Sequence, residues 1–326
     1  MSDPAIRDPA TSGSATSEPP PRPTGKPLPA EPERLGRSTV FLYLATIVLI
    51  WGGNWALSKI ALRDAPPLTF TAVRILGAAI PIGLVLAARR VPLLPERGER
   101  WAIGWTGMLQ IGLLLSANML GLQFIPPGRA AILTYTMPIW AIPLGFWLLR
   151  DRPGRLRLAG GAIGLLGLVV FFDPRLVDWH SGAQLVGNGC ALLGAMSWAL
   201  GAVLYRRRRW RTGFWTQIFW QIAVSLAPVA LLAVLFEQGR SIHWTAAILL
   251  ILAFNWLLGT ALAYWCWARV LATLPAATAG QVVMLAPVFA YVLSALFFGE
   301  SVTPRALLSI ALIFLGLTLT LRGSRT

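Results

Sequence analysis

From Thr39 onward the chain alternates long apolar runs with short charged connections. The runs lie near residues 39–60, 68–88, 101–123, 128–149, 156–172, 183–205, 213–236, 244–268, 276–298 and 306–321. Each is close to the ~20 residues an α-helix needs to cross the hydrocarbon core of a bilayer. Lipid cannot satisfy backbone N–H and C=O groups, so an open strand or loop is excluded there. The ten-residue apolar/polar alternation of outer-membrane strands is also missing. The sequence therefore predicts an all-α membrane protein with ten transmembrane helices. Composition agrees: 56% of residues are apolar and 13% charged, against about 25% charged in soluble domains. A soluble enzyme and a disordered chain are both excluded on these grounds.

Residues 1–37 form a separate region. They contain nine of the 24 prolines, and their five basic and five acidic residues cancel. No apolar stretch of signal-peptide type lies there, so the expectation is a disordered Pro-rich tail. Loop charges set the orientation. One side collects 21 basic residues, including Arg89, Arg90, Arg97, Arg100, Arg150, Arg152, Arg155, Arg157 and Arg206 to Arg209. The other side holds five: Arg63, Arg129, Arg175, Arg240 and Arg305. The positive-inside rule places both termini in the cytoplasm. The net charge of +15 thus reads mainly as a topology signal, with an anionic-lipid or nucleic-acid site as the other reading; the expected partners are a small-molecule substrate and membrane lipid, not nucleic acid.

The two halves repeat one another. Trp51 and Trp198 are 147 residues apart, as are Pro81 and Pro228. Pro126 and Pro275 are 149 apart, as are Pro138 and Pro287, each of the latter followed 13 residues on by an acid, Asp151 or Glu300. Residues 38–172 and 182–322 read as two five-helix repeats. Five is odd, so the second repeat is inverted in the membrane relative to the first. That arrangement marks many secondary transporters, with the substrate site between the repeats near the midplane.

Short motifs resemble a known family. Trp51-Gly52-Gly53-Asn54-Trp55 with Lys59, Pro66-Pro67, and Ala72-Val73-Arg74 resemble the opening of the EamA family, within the drug/metabolite transporter superfamily. Leu258-Gly259-Thr260-Ala261-Leu262-Ala263-Tyr264, Pro287-Val288-Phe289-Ala290 and Phe298-Gly299-Glu300 resemble its last third. The resemblance covers about residues 40–322. It implies a ten-helix exporter of the inner membrane that works by alternating access. Its implied substrates are amino acids, other metabolites or toxic compounds. One departure is Leu149-Arg150-Asp151, where the family has a Gly-Glu pair like Gly299-Glu300.

Polar and aromatic residues inside the runs are the candidates for substrate contact. Trp51, Asn54, Trp55 and Ser58 share one helix face, with an interfacial aromatic belt as the other reading. Lys59 and Arg74 are the cations furthest into apolar sequence, where a charge costs about 2.5–3.5 kcal/mol on insertion scales. Lys59 alternatively snorkels to water. Arg74 either holds a substrate carboxylate bidentately or braces backbone carbonyls. Thr260, Tyr264 and Trp267 share a second face, and Trp198 and Tyr205 a third. Gln217 and Gln221 form a polar pair. Asn118, Asn188, Asn255 and Gln281 are amides at membrane depth, each a ligand contact or an interhelical hydrogen bond. The expected substrate contacts are Trp51, Asn54, Trp55, Lys59, Arg74, Asn118, Trp198, Tyr205, Thr260, Tyr264 and Gln281.

No carboxylate stands in the middle of a run, since Asp151, Glu237 and Glu300 all lie at ends. A Walker P-loop is missing too. His180 and His243 have no metal-ligand or catalytic-triad spacing around them, and Cys190 and Cys266 lie in apolar runs. No cofactor or metal is therefore expected. Gly160-Gly161, Gly164 and Gly167 read as a helix-packing surface. The expected function is a secondary transporter, not an enzyme, that exports small amphipathic metabolites, with amino acids as the leading class. A polytopic protein without transport, such as a lipid-modifying enzyme or a receptor, is the alternative.

Overall fold

A computed structural model describes residues 35–150, 152–172, 181–271, 273–274, 279 and 282–322. The expected tail, residues 1–37, falls almost wholly outside them. So do Asp151, His180, Pro275 and Gln281.

Regular structure among the described residues is helical. The helices are α1 (Arg37–Ala61), α2 (Pro67–Ala88), α3 (Arg97–Leu122), α4 (Pro127–Leu149), α5 (Arg155–Phe172), α6 (Gly182–Arg206), α7 (Phe214–Phe236), α8 (Ala246–Leu271), α9 (Leu285–Phe298) and α10 (Pro304–Arg322). Seven of them, α1 to α4 and α6 to α8, are long and apolar enough to cross a membrane. Bulky apolar side chains such as Phe41, Leu84, Leu250 and Leu296 are exposed on the outside. That is how a helix bundle meets lipid, which is as apolar as the side chains themselves.

Helix starts follow local chemistry. Pro67 and Pro127 occupy the first turns of α2 and α4, where a missing N–H costs nothing. Thr245 and Thr303 accept hydrogen bonds from Ile248 N and Ala306 N at the starts of α8 and α10. Those hydroxyls satisfy amides that have no partner within the helix.

Two of the expected runs are not continuous helices. α4 breaks at Tyr135–Thr136. The cause is Pro138, which cannot donate to the carbonyl of Thr134 and crowds it. A turn at Met284 precedes α9, with Pro287 three residues on. Pro81 and Pro228, by contrast, lie inside α2 and α7 without ending them. α3 and α8 each widen into a π segment, at Met108–Leu113 and Phe254–Leu262.

Packing pairs elements of the two halves. α1 packs on α8 and α9, and α6 packs on α3 and α4. α2 packs on α7 and α8, and α7 on α2 and α3. α5 pairs with α10 backbone to backbone: a Cβ on Gly316 would stand 2.4 Å from Gly164 N, and one on Gly160 2.5 Å from Thr320 N. Only glycine allows that approach.

Two carboxylates fasten loops across the α2–α7 pair. Glu237, just after α7, accepts from Leu68 N, Thr69 N and Thr69 Oγ1 at 2.7–2.8 Å and so caps the start of α2. Glu99 accepts from Arg211 N at 2.7 Å and Thr212 N at 2.9 Å, and from Thr212 Oγ1, just before α7.

Candidate functional site

The π segment of α8 faces α1 and α2 with an irregular backbone. A π turn shifts each carbonyl off the regular ladder and frees it for other donors. Trp51 Nε1 on α1 donates to Gly259 O at 3.2 Å. Thr260 Oγ1 donates back to Asn255 O at 2.9 Å, across the widened turn. Asn255 Nδ2 is used by Ile251 O at 2.8 Å. Its Oδ1 is buried and has no partner among the described residues. The same holds for Trp256 Nε1 and, on α1, for Asn54 Oδ1. The Trp256 ring lies on Gly77 of α2 so closely that a Cβ there would overlap it. An unpaired buried polar group costs about 1–3 kcal/mol, so such groups on adjoining elements call for an explanation.

Arg74 and Tyr264 complete this region. Both lie deep in the bundle and within electrostatic reach of each other. Both also keep part of their surface accessible. Arg74 makes no hydrogen bond or ion pair among the described residues. The Tyr264 ring meets Trp51 edge to face, with centroids 6.2 Å apart, and the Trp267 ring lies 6.3 Å from that of Trp51. Aromatic pairs at such separations hold one another in orientation. The result is a cation and unpaired amide and indole groups beside an aromatic wall.

Of the expected set, Trp51 meets Tyr264 and the carbonyl beside Thr260, and Arg74 lies near Tyr264, while Asn54 stands one turn from Trp51 on α1. Trp55 is half-buried and packs against two clusters of buried side chains that meet at α1. Lys59 is placed elsewhere. Its Nζ donates to the carbonyls of Leu122, Gln123 and Ile125, which are left without intrahelical donors where α3 ends. Asn118 Oδ1 accepts from Thr134 Oγ1 at 2.9 Å and so ties α3 to α4. Tyr205 stacks on Trp210 at 4.8 Å, near the end of α6. Trp198 is half-buried on α6. Gln281 lies outside the described residues.

Asn255, Trp256 and Gly77 join the site without having been singled out as contacts. Asn255 was visible as an amide at membrane depth, but nothing local told a ligand contact from a bond within the bundle. Gly77 and Trp256 carry no local signal at all, because their contact links two helices distant in sequence.

A second polar node joins α4, α6 and the α9–α10 loop. Gly128 N donates to Glu300 Oε2 at 3.1 Å, and Arg129 Nε donates to Asn188 Oδ1 at 2.8 Å. The Arg129 guanidinium also lies 5.6 Å above the Phe171 ring. Burial lifts the Glu300 carboxyl above the ordinary carboxylate range, against the opposing pull of Ser294, Gly128 and Arg129. Among the described residues, no three of His, Cys, Asp and Glu come together as metal ligands would.

Comparison with known proteins gives a consistent picture. The model of the EamA-like transporter family matches residues 38–172 and 185–322. An uncharacterized transporter, YoaV of Bacillus subtilis, is 27% identical over 85% of this chain and 95% of its own. A probable amino-acid metabolite efflux pump of Salmonella typhimurium is 27% identical over 89% of this chain and 97% of its own. The uncharacterized inner membrane transporter YhbE of Escherichia coli is 24% identical over 76% of this chain. A crystal structure 22% identical in sequence superposes with a TM-score of 0.63 over 89% of this chain and 99% of that one, which shows a shared fold.

Proposed function

Because the chain belongs to the EamA-like transporter family, we propose that it is a secondary exporter of small zwitterionic metabolites, with amino acids as the leading class. In this reading ten helices span the inner membrane as two inverted five-helix repeats, with both termini in the cytoplasm. The two matched segments, the reciprocal packing of α1 on α8 and of α6 on α3, and the paired π segments support the repeats. The loop charges support the orientation. An efflux pump for amino-acid metabolites among the relatives supports the substrate class.

The reading rests on Arg74. A guanidinium inside a membrane bundle persists when it is hydrated, paired or a ligand site. Here it has no hydrogen-bond or ion-pair partner among the described residues and lies near Tyr264, which in this reading borders the substrate space. A substrate carboxylate would fit its planar fork bidentately. Asn54 Oδ1 and Asn255 Oδ1 are acceptors for a substrate ammonium, and Trp51 and Tyr264 offer apolar faces to its side chain. Alternating access then exposes this space to each side in turn.

Counterflow of labelled amino acids into liposomes containing only this protein tests the proposal. Uptake above that of empty liposomes is expected for some members of the amino-acid panel, and none across the panel would sink the substrate class. Arg74→Lys should lower transport per folded molecule about tenfold or more, because the charge stays but the fork is lost. Carboxylated substrates should suffer more than analogues without the carboxylate. Equal loss for both would reject the ligand role and leave Arg74 as a structural brace.

A further inference from the structure

The break between α4 and α5 carries a feature that the helix packing does not use. α4 ends with Arg150 in the left-handed conformation, φ +55°, its N–H bonded to Gly145 O. The matching end of α9, 149 residues on, has Gly299 at φ +67° with the same bond, to Ser294 O. A glycine adopts this conformation freely, whereas a residue with a Cβ is strained there. The first half therefore keeps an arginine where its own repeat shows that glycine suffices.

The surroundings point to a ligand for that side chain. Arg150 and Arg152 line a surface groove of about 330 Å³ together with Phe146 and Trp147. The two rings are 59% and 77% exposed on the last turn of α4. This is the charge-rich end of a membrane helix, where aromatic rings sit among lipid headgroups. Residues 150–157 hold four arginines against one aspartate. Arg150 and Arg152 are exposed and have no partner among the described residues. Rings level with the acyl–headgroup boundary and paired guanidinium groups just beyond them match an anionic phospholipid: glycerol and upper acyl carbons on the rings, phosphate on the forks.

We propose that Phe146, Trp147, Arg150 and Arg152 form a binding seat for the headgroup of an anionic phospholipid. The seat depends on the chain's being embedded in a membrane and is independent of the transport reading. Native mass spectrometry of the purified full-length protein with phosphatidylglycerol or phosphatidylcholine tests it. Phosphatidylglycerol should bind more tightly than phosphatidylcholine. Arg150→Gly should keep or raise the unfolding temperature, since it relieves the left-handed strain, yet weaken phosphatidylglycerol binding about fivefold. Arg152→Gln should do the same without touching a helix end. Arg90→Gly is the control. Arg90 has the same charge and a similar φ, +51°, so its loss should leave phosphatidylglycerol binding within twofold of wild type. Three results would overturn the proposal: equal binding of the two lipids, equal losses from Arg150→Gly and Arg90→Gly, or displacement of phosphatidylglycerol by millimolar inorganic phosphate, which would mark a site for a soluble anion.

Discussion

The π segments of α3 and α8 stand at matching places in the two halves, with Gly112 and Gly259 147 residues apart. Their surroundings differ. The α3 segment is closed against α6 and α7. Ser197 Oγ donates to Leu109 O at 2.7 Å, and Gln110 packs on Gly201. Just before that segment, Gly107 touches the backbone of Gln221. The α8 segment packs Trp256 tightly on Gly77 of α2, yet leaves polar groups unsatisfied. One freed carbonyl is taken by Trp51, while Asn255 Oδ1 and Trp256 Nε1 stay unpaired. Matching π segments thus have their polar groups taken up in one half and left partly unpaired in the other. The lesson is that a π turn is only an opportunity: the side chains opposite decide whether its polar groups are taken up in packing or stay unpaired.

Substitutions at the glycines break this comparison most sharply. A Cβ on Gly107 would stand 2.5 Å from Gln221 Cα and 2.6 Å from its carbonyl oxygen. Helix backbone cannot move aside as a side chain can. Gly107→Ala should therefore destabilise the protein by about 3 kcal/mol, read as lost folded yield and a lower unfolding temperature in detergent. At Gly259 the nearest atom would be 3.6 Å away, an ordinary contact. Gly259→Ala should fold at near wild-type yield. Equal losses at the two glycines would show that the α8 segment is as tightly closed as the α3 segment.

A smaller effect comes from the hydrogen bonds on the two freed carbonyls. Ser197→Ala removes the donor to Leu109 O and should cost about 1 kcal/mol of stability, with transport per folded molecule unchanged. Trp51→Phe removes the donor to Gly259 O but keeps an aromatic ring beside Tyr264. Its stability cost should be similar, yet transport per folded molecule should fall. If Ser197→Ala impairs transport as much as Trp51→Phe, the functional asymmetry between the segments is wrong.

The smallest effect concerns the ends of the repeats. Glu300 accepts a hydrogen bond from Gly128 N, and burial raises its carboxyl above the ordinary carboxylate range. The folded state then keeps a proton that the unfolded chain has already released. Its contribution to stability is full below the unfolded value and is lost as pH rises through the folded one. Unfolding temperatures measured from pH 4 to 7 should show this decline in the wild type, and a flatter profile in Glu300→Gln. Parallel profiles would mean that Glu300 does not titrate in this window.

Much of the architecture was legible in the chain. Bilayer-length apolar runs, and Trp51, Pro81 and Pro138 repeated in register, carry local physical meaning. The break in α4 was less so, although Pro138 caused it, because Pro81 and Pro228 are tolerated inside their helices. The site was legible in part. Trp51 meets Tyr264 and the carbonyl of Gly259, so the faces read on α1 and α8 touch one another, and Arg74 lies near Tyr264. Lys59 does not join them, because the carbonyls it caps lie 63 to 66 residues away and nothing near it announces them. Trp198 and Tyr205 share a face on α6, yet Tyr205 is taken by Trp210.

The sequence by itself determined that this chain is a helical, membrane-embedded protein of two related halves. The reason is that lipid allows so few backbone solutions that hydrophobic length and period nearly suffice to choose among them. Which of its polar groups are satisfied and which remain free was decided only by tertiary structure. Whether Arg74, Asn54 or Lys59 has a partner depends on where a second helix ends or widens, and that position follows from packing between residues far apart in the chain.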